Sequence, residues 1–336
     1  MTAARGQIGA SGPFFDDLEV GHRIDDAPAL TLTAGHAAAH QAIVGDRLRL
    51  ALDASLSFRV TGETAPLAHP ALVWDLAIGQ STLVTRRVIA NLFYRGLVFR
   101  RAPMIGDTLH TTTEVVALRQ TTARRGRAAT GLAVLRVRTV DHERRPVLDF
   151  WRCAMLPLAD PDGDSGHADD LDTIPAELDP DTLSVATARW DLHRYREATG
   201  GTRFTDLPPA TTWSVVGGDV VSSAPELARL TLNVATAHHD AIPAGRRLVY
   251  GGHTIGIAAS QLTRVLPNLV TIVAWHGCEH LGPVLEGDTL TSEVELERCE
   301  PLAGGGGLVH LRSRVHAHRE AGTEAVLDWR LVGVMA

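Results

Sequence analysis

The chain lacks lysine and is poor in cysteine, in aromatic residues and in long apolar runs. All 32 basic residues are arginine, which excludes Schiff-base catalysis by lysine and a Walker-type phosphate loop. Three cysteines in 336 residues are too few and too scattered for a disulfide framework or a zinc knuckle. No apolar run reaches the ~18–20 residues that cross a bilayer, and residues 1–15 lack the apolar stretch of a secretory signal. We therefore expect a cytoplasmic protein with reduced thiols.

What is present is an ordinary globular composition. The apolar fraction is 45%, the charged fraction is 21% and the formal net charge is −7. This length favours about two domains, and the acidic balance argues against a nucleic-acid partner. The composition indicates no membrane association.

The two halves of the chain repeat one another. Three short motifs recur in the same order: IGDTL at 105–109 as EGDTL at 286–290, LRVR at 135–138 as LRSR at 311–314, and LDFWR at 148–152 as LDWR at 327–330. The last match pairs Trp151 with Trp329. Self-similarity at a nearly fixed spacing indicates an internal duplication, here called the first copy (residues 1–157) and the second copy (residues 186–336).

Each copy is predicted to contain one central helix, because apolar residues recur at three- and four-residue steps. In the second copy this helix runs from about Gly252 to Leu266, and Pro267 ends it. In the first copy it begins at Pro70, a favoured first-turn residue, and extends to Leu83.

Alternating, β-branched runs follow each helix and predict four strands per copy, at residues 88–99, 108–118, 129–140 and 147–156, and at 269–275, 289–296, 308–315 and 325–334. One helix followed by an antiparallel meander predicts an α+β fold in which a sheet wraps around the helix, the hotdog architecture. Two fused copies predict a double hotdog. Between them, the Asp-, Pro- and Gly-rich residues 158–185 are expected to form a linker that buries too little apolar surface to order itself.

The candidate site lies in the polar segment before the second helix. Asn233 and His238 are five residues apart, Asp240 follows, and the pair Gly251 and Gly252 opens the helix. Histidine can donate and accept a proton near neutral pH. Free N–H groups at a helix start can hold an oxyanion, and an asparagine amide can orient water. In the first copy Ala51 stands five residues after Asp46, so that copy has lost its acid/base group.

Further residues around this segment are candidate substrate contacts. Arg47, in the degenerate copy, has the charge to bind a substrate carboxylate or phosphate. The planar guanidinium groups of Arg246 and Arg247 are suited to bind the phosphates of coenzyme A. A solvent-facing role remains open for all three. Tyr250, His253 and Asp240 border the same segment, and a structural role remains open for His253.

Three other motifs are set aside. Adjacent His238 and His239 point to opposite sides of an extended segment, so no metal site is predicted. The sequence GDSGH at 163–167 lacks the strand–turn–helix context of a serine nucleophile. The glycine run at 304–307 lies between strands and predicts a hairpin loop.

The motif LNVATAHHD with the later YGGH resembles the hydratase motif of MaoC-like enoyl-CoA hydratases. Over residues 14–336 the chain is similar to the double-hotdog mesaconyl-CoA hydratases, also called β-methylmalyl-CoA dehydratases. This similarity is carried by FFDDLEVG, GDRLRLALDAS, VIANLFYRGLVF, APMIGDTLHTTTEVVALRQ, LNVATAHHD, GRRLVYGGHTIGIAASQL and GPVLEGDTL. The first helix departs from that family, since VWDLAIGQSTLVTRR stands where the family has an aromatic–His pair and a Lys-Thr-Val-Pro-Asp stretch.

The resemblance implies His238 as acid/base, Asn233 as the amide position, Gly251 and Gly252 as the oxyanion site and Arg47 as the arginine of the degenerate half. It implies a hydro-lyase that hydrates an α,β-unsaturated acyl-CoA such as mesaconyl-CoA, without a cofactor and with coenzyme A as part of the substrate. A homodimer of double-hotdog chains is a further expectation. A hotdog thioesterase, a hydratase of carrier-protein-bound chains and a non-catalytic acyl-CoA-binding protein remain alternatives.

Overall fold

The computed structural model describes residues 12–123, 128–175, 178–242 and 245–336, so most of the segment considered above for a secretory signal lies outside the described residues. The described residues form the following helices: α1 (Ala34–Val44), α2 (Arg49–Leu52), α3 (Ala54–Thr61), α4 (Pro70–Gln80), α5 (Leu192–Ala198), α6 (Ala224–Leu230) and α7 (Gly251–Val265). None of them is long and apolar enough to span a bilayer.

The strands are all paired antiparallel: β1 (Arg23–Ile24), β2 (Leu30–Thr31), β3 (Ala90–Phe99), β4 (Thr108–Gln120), β5 (Thr130–Val140), β6 (Pro146–Pro157), β7 (Thr212–Ser214), β8 (Asp219–Val220), β9 (Leu269–His280), β10 (Thr289–Pro301), β11 (Gly307–Arg319) and β12 (Gly322–Met335). The main order is β1-β4-β5-β6-β3-β9-β12-β11-β10-β7. Pairing of β3 with β9 therefore joins the two predicted sheets into one.

The two central helices lie at the centre of this sheet, as the repeat predicts. Every residue of α4 is buried, which fits its uniformly apolar sequence, and α7 is buried from Gly252 to Thr263. The helix α4 ends at Gln80, so Leu83 lies in the short 3-10 turn that follows rather than in the helix.

A tryptophan cluster fills the centre of the core. Trp74 of α4 lies 4.8 Å from Trp275 and 6.0 Å from Trp329 between ring centroids, and all three are fully buried. Since Trp74 belongs to the first copy and the other two belong to the second, the copies share one hydrophobic core.

The predicted pairing of Trp151 with Trp329 is wrong by one residue. Arg136 forms an ion pair with Asp149, and Arg312 forms the same pair with Asp328, so the two aspartates are equivalent. Phe150 then corresponds to Trp329, and both are fully buried, while Trp151 lies on the outer face beneath Arg136. A side chain alternates between sheet faces at each residue, so a one-residue shift exchanges inside for outside.

The expectation that the segment 158–185 does not order itself is also wrong for its described part. Leu171 and Ile174 pack into a hydrophobic cluster on the outer face of the first copy. The carboxylate of Asp169 accepts a 2.8 Å hydrogen bond from the amide of Leu118 on β4. A few leucine and isoleucine side chains among the acidic residues therefore attach this segment to the sheet.

Candidate active site

The loop that carries Asn233 and His238 rests on the first copy. The amide of Val234 donates to Thr82 Oγ1 at 2.9 Å, and the amide of Thr236 donates to the carbonyl of Arg86 at 2.9 Å. Gly79 of α4 allows this approach, because a Cβ there would lie 1.8 Å from the carbonyl oxygen of Thr231. The loop of one copy is thus positioned by the helix of the other.

His238 is held in one tautomer. Its Nδ1–H donates to the carbonyl oxygen of Leu248 at 3.0 Å, since a carbonyl can only accept. The other nitrogen, Nε2, is then the unprotonated one and can accept a proton. Burial lowers the pKa of His238 to about 4, so the ring is neutral at physiological pH. A neutral imidazole with a fixed tautomer is suited to act as a general base.

The start of α7 lies beside this ring. The ring of Tyr250, the residue before the helix, is 5.6 Å from the ring of His238 between centroids. Its hydroxyl donates to the carbonyl of Asp75 on α4 at 2.9 Å, and no side chain caps the helix. The amides of Gly251 and Gly252 thus start the helix without a capping acceptor, as an oxyanion site requires.

Both glycines are packed too closely to carry a side chain. A Cβ on Gly251 would lie 2.7 Å from His280 Nε2, and a Cβ on Gly252 would lie 2.1 Å from Asp75 Oδ1. His280 Nε2 is buried without a hydrogen-bond partner among the described residues, and burial lowers the pKa of this ring to about 4. His280 is therefore a second neutral imidazole at the helix start.

The two polar side-chain atoms of Asn233 differ in their hydrogen bonding. Its Oδ1 accepts from the amide of Ala235 at 2.9 Å, while its Nδ2 is buried and has no partner among the described residues. The carbonyl of Asn233 accepts from His239 Nε2 at 2.6 Å. Only the N–H groups of this amide are therefore available to a water or substrate.

The corresponding helix start in the first copy is closed. His69 caps α4 by accepting a hydrogen bond at Nδ1 from the amide of Ala71, and its Nε2 lies 2.7 Å from Asp46. Pro70 has no N–H to offer. Asp46 thus lies beside the helix start, as its sequence position suggests, but its carboxylate is used by His69. This closed helix start is a second reason, besides Ala51, to expect no acid/base chemistry in the first copy.

Three buried polar side chains, His40, Asp75 and His253, lie near one another at the two central helices. His40 Nε2 is 3.0 Å from Asp75 Oδ2, and burial raises the pKa of Asp75. His253 is fully buried, and neither of its ring nitrogens has a partner among the described residues. Burial, followed by the nearby charge of His40, lowers the pKa of His253 to about 4. His253 is therefore a buried, neutral imidazole within electrostatic range of His40.

The other predicted contacts lie at the surface. Arg47 and Arg246 are exposed. Arg247 pairs with Glu286, and Asp240 Oδ1 accepts from the amide of Ile242 at 2.8 Å, which stabilises the turn after the motif. No described contact brings these four side chains to His238, and their roles stay predictions. The described residues contain no group of three His, Cys, Asp or Glu side chains arranged to hold a metal.

Sequence reasoning missed two residues near the site, Arg152 and Tyr94. Arg152 is 3% exposed and lies directly opposite Tyr94 on the neighbouring strand. The charge of Arg152 also contributes to the lowered pKa of His238, after burial and His239. The alternation of buried Leu148, Phe150 and Arg152 along β6 was the available signal, but a lone arginine in a strand is usually solvent-facing.

Two curated relatives match most of the chain. It is 28% identical over 320 residues to β-methylmalyl-CoA dehydratase of Chloroflexus aurantiacus, covering 92% of this chain and 89% of the relative. It is 29% identical over 331 residues to mesaconyl-CoA hydratase of Cereibacter sphaeroides, covering 94% and 91%. No family model matches the chain.

Two solved structures match almost the whole chain. A conserved hypothetical protein of Mycobacterium tuberculosis, described as having a double hotdog fold, is 52% identical with a TM-score of 0.92, covering 98% of this chain and 100% of that one. A MaoC domain dehydratase from Chloroflexus aurantiacus is 25% identical with a TM-score of 0.86, covering 98% of each chain. The predicted α+β double-hotdog fold is confirmed.

Proposed function

Because this chain belongs to the double-hotdog family that includes MaoC-like dehydratases, we propose that it catalyses reversible hydration of an α,β-unsaturated acyl-CoA. Mesaconyl-CoA, with β-methylmalyl-CoA as the hydrated product, or a related short-chain enoyl-CoA is the proposed substrate. The names of the two curated relatives support this. The proposal depends on His238, a neutral imidazole of fixed tautomer next to an uncapped helix start.

In the hydration direction, His238 Nε2 takes a proton from water while the hydroxide oxygen bonds to the β-carbon. The electron pair of the carbon–carbon double bond moves toward the thioester carbonyl, which becomes enolate-like. The imidazolium then returns its proton to the α-carbon, and the ring is neutral again. General acid/base catalysis of this kind is worth roughly 10²–10⁴-fold, and Asn233 Nδ2 is the proposed donor that orients the water.

The enolate oxygen requires donors that are already in place. The amides of Gly251 and Gly252 at the start of α7 are proposed for this role, because the helix dipole favours negative charge there. Losing one such donor costs on the order of 10²–10³-fold in rate. Tyr250 and His253 are proposed to line the same helix start, while Arg47, Arg246 and Arg247 are proposed to meet the substrate's charged groups.

The proposed chemistry transfers only a proton and a hydroxyl group, so we propose that no cofactor is needed and that coenzyme A enters as part of the substrate. A cytoplasmic location and a homodimer of double-hotdog chains are further proposals. Size measurement by sedimentation in solution tests the homodimer.

The test follows the loss of enoyl-thioester absorbance with mesaconyl-CoA, tiglyl-CoA and crotonyl-CoA. We expect His238→Ala to lower kcat/KM by roughly 10²–10⁴-fold, because only bulk water remains as the base. His318→Ala is the control, since His318 is exposed on the far strand β11. Equal rates for His238→Ala and wild type, or no reaction with any enoyl-CoA, would contradict the proposal.

The thioesterase alternative requires an accessible carboxylate on a central helix. Asp75 is the acidic residue of α4, but it is fully buried and bonded to His40, which disfavours attack on a thioester. Release of free thiol from a saturated acyl-CoA would support the alternative instead. Tight binding without turnover would support the acyl-CoA-binding alternative, and reaction only with carrier-bound chains would support the carrier-protein one.

A further inference from the structure

Arg152 on β6 carries a buried positive charge with few partners. Its side chain is 3% exposed. One terminal nitrogen, Nη2, donates to Thr85 Oγ1 and reaches the carbonyl of Ser81 at 3.5 Å. Its Nε is buried without an acceptor among the described residues. The neighbours that contribute most to its electrostatics are Tyr94, whose hydroxyl also hydrogen-bonds the guanidinium, and Tyr250 rather than a carboxylate, although buried cations are normally paired with an anion.

The internal duplication shows that the fold does not need this charge. Asp149 is equivalent to Asp328, as the matching ion pairs with Arg136 and Arg312 establish. Counting along the strand, Arg152 therefore corresponds to Leu331, which is fully buried. Leucine fills the equivalent inner position of the sheet in the second copy, so packing alone does not require a guanidinium in the first copy.

The neighbours of Arg152 belong to the candidate active site. Tyr94 lies opposite it in the register of β3 and β6, and the ring of Tyr94 is 5.9 Å from that of His280. His238 and Tyr250 both lie within the electrostatic range of the guanidinium. Burial raises the pKa of Tyr94 and the pKa of Tyr250 well above the usual value for a tyrosine, so both hydroxyls stay neutral and neither supplies the missing negative charge.

We propose that Arg152 binds a free carboxylate at the far end of the acyl group, so that the site selects dicarboxylic enoyl thioesters over neutral ones. A guanidinium holds a carboxylate through two parallel N–H donors, and Nε with one Nη forms such a pair. This inference rests on the proposed hydratase function, because the carboxylate in question belongs to the enoyl-CoA that is proposed to react at His238. Arg152 is thus a specificity-determining residue supplied by the copy that lacks the acid/base group.

The first experiment compares two thioesters that differ at one group. Mesaconyl-CoA has a carboxylate where tiglyl-CoA has a methyl. In Arg152→Leu, which installs the residue of the second copy, we expect kcat/KM for mesaconyl-CoA to fall on the order of 30-fold or more, as for loss of a buried charged partner, and kcat/KM for tiglyl-CoA to change less than about 3-fold. Arg330→Gln is the control, since Arg330 lies on the outer face with Glu297, and should alter neither.

A second experiment uses the wild-type protein alone and so does not depend on how the variant folds. Succinyl-CoA and butyryl-CoA have the same chain length, and only the first has a free carboxylate. We expect succinyl-CoA to bind at least about 10-fold more tightly in a calorimetric titration. Equal affinity for the two, or an equal loss of both rates in Arg152→Leu, overturns the inference. Absence of any hydration together with preferential binding of succinyl-CoA would instead overturn the proposed function.

Discussion

The pH dependence of hydration is the most direct test of how His238 is held. Burial lowers its pKa to about 4 from the ordinary value of 6.5, and the hydrogen bond from Nδ1 to Leu248 keeps Nε2 as the accepting nitrogen. A base acts only in its unprotonated form, so activity is lost as pH falls through its pKa. We therefore expect the acid limb of kcat/KM to lie near pH 4 rather than near pH 6.5.

The difference is large enough to measure at one pH. At pH 5 a histidine with a pKa of 6.5 is only about 3% neutral, whereas one with a pKa of 4 is about 90% neutral. kcat/KM for mesaconyl-CoA at pH 5 should thus stay close to its value at pH 7.5 instead of falling about 30-fold. Circular dichroism at each pH shows that the protein remains folded. An acid limb with a midpoint near 6.5 in folded protein would refute the assignment of a half-buried, neutral His238 as the base.

Two further predictions concern stability and the helix start. His253 is fully buried with a pKa of about 4, so below pH 6.5 the unfolded chain binds a proton that the folded chain does not, and stability falls as pH decreases. Between pH 7 and pH 5 this histidine should lower the free energy of unfolding by on the order of 2 kcal/mol. In urea titrations, His253→Gln should therefore lose less stability than wild type over this pH range. The same pH dependence in both proteins would contradict the prediction. Gly252→Ala places a Cβ 2.1 Å from Asp75 Oδ1 and should lower stability by about 1–3 kcal/mol as well as activity, as measured by urea unfolding and the enoyl-CoA assay. Gly277→Ala, where the nearest atom is 3.7 Å away, is the matched control, and equal behaviour of the two variants would show that the helix start tolerates a side chain.

The sequence predicted the central helix and the four long strands of each copy because their signals are local, but it did not predict the other five helices or the four short strands. The period of apolar residues located both ends of α4 and α7 to within three residues. Alternation located eight strands, and most of the observed strands extend a few residues beyond the predicted bounds. The pairing of Trp151 with Trp329 was wrong because two similar tryptophan motifs do not reveal which residue faces inward. Only the ion pairs of Arg136 and Arg312 settle that register.

The site was harder to predict, because its residues come from both copies. The segment from Asn233 to Gly252 is contiguous enough to be found as a motif. The inward orientation of Arg152, the closing of the first helix start by His69 and the support of the loop by Gly79 depend on contacts between distant parts of the chain. Local patterns carry no information about such contacts, and an arginine on a strand normally indicates the solvent side.

Covalent fusion of the two copies allows an asymmetry that separate subunits cannot have. In a two-fold dimer of identical single hotdogs, the position of Arg152 and that of Leu331 would be encoded by one codon, and every change would appear on both sides of the axis. In one chain the two positions diverged, so one holds a cation and the other a hydrocarbon. Under the proposed function, substitutions in the first copy can therefore adjust which acyl chains are accepted, while the proposed proton-transfer residues of the second copy remain unchanged.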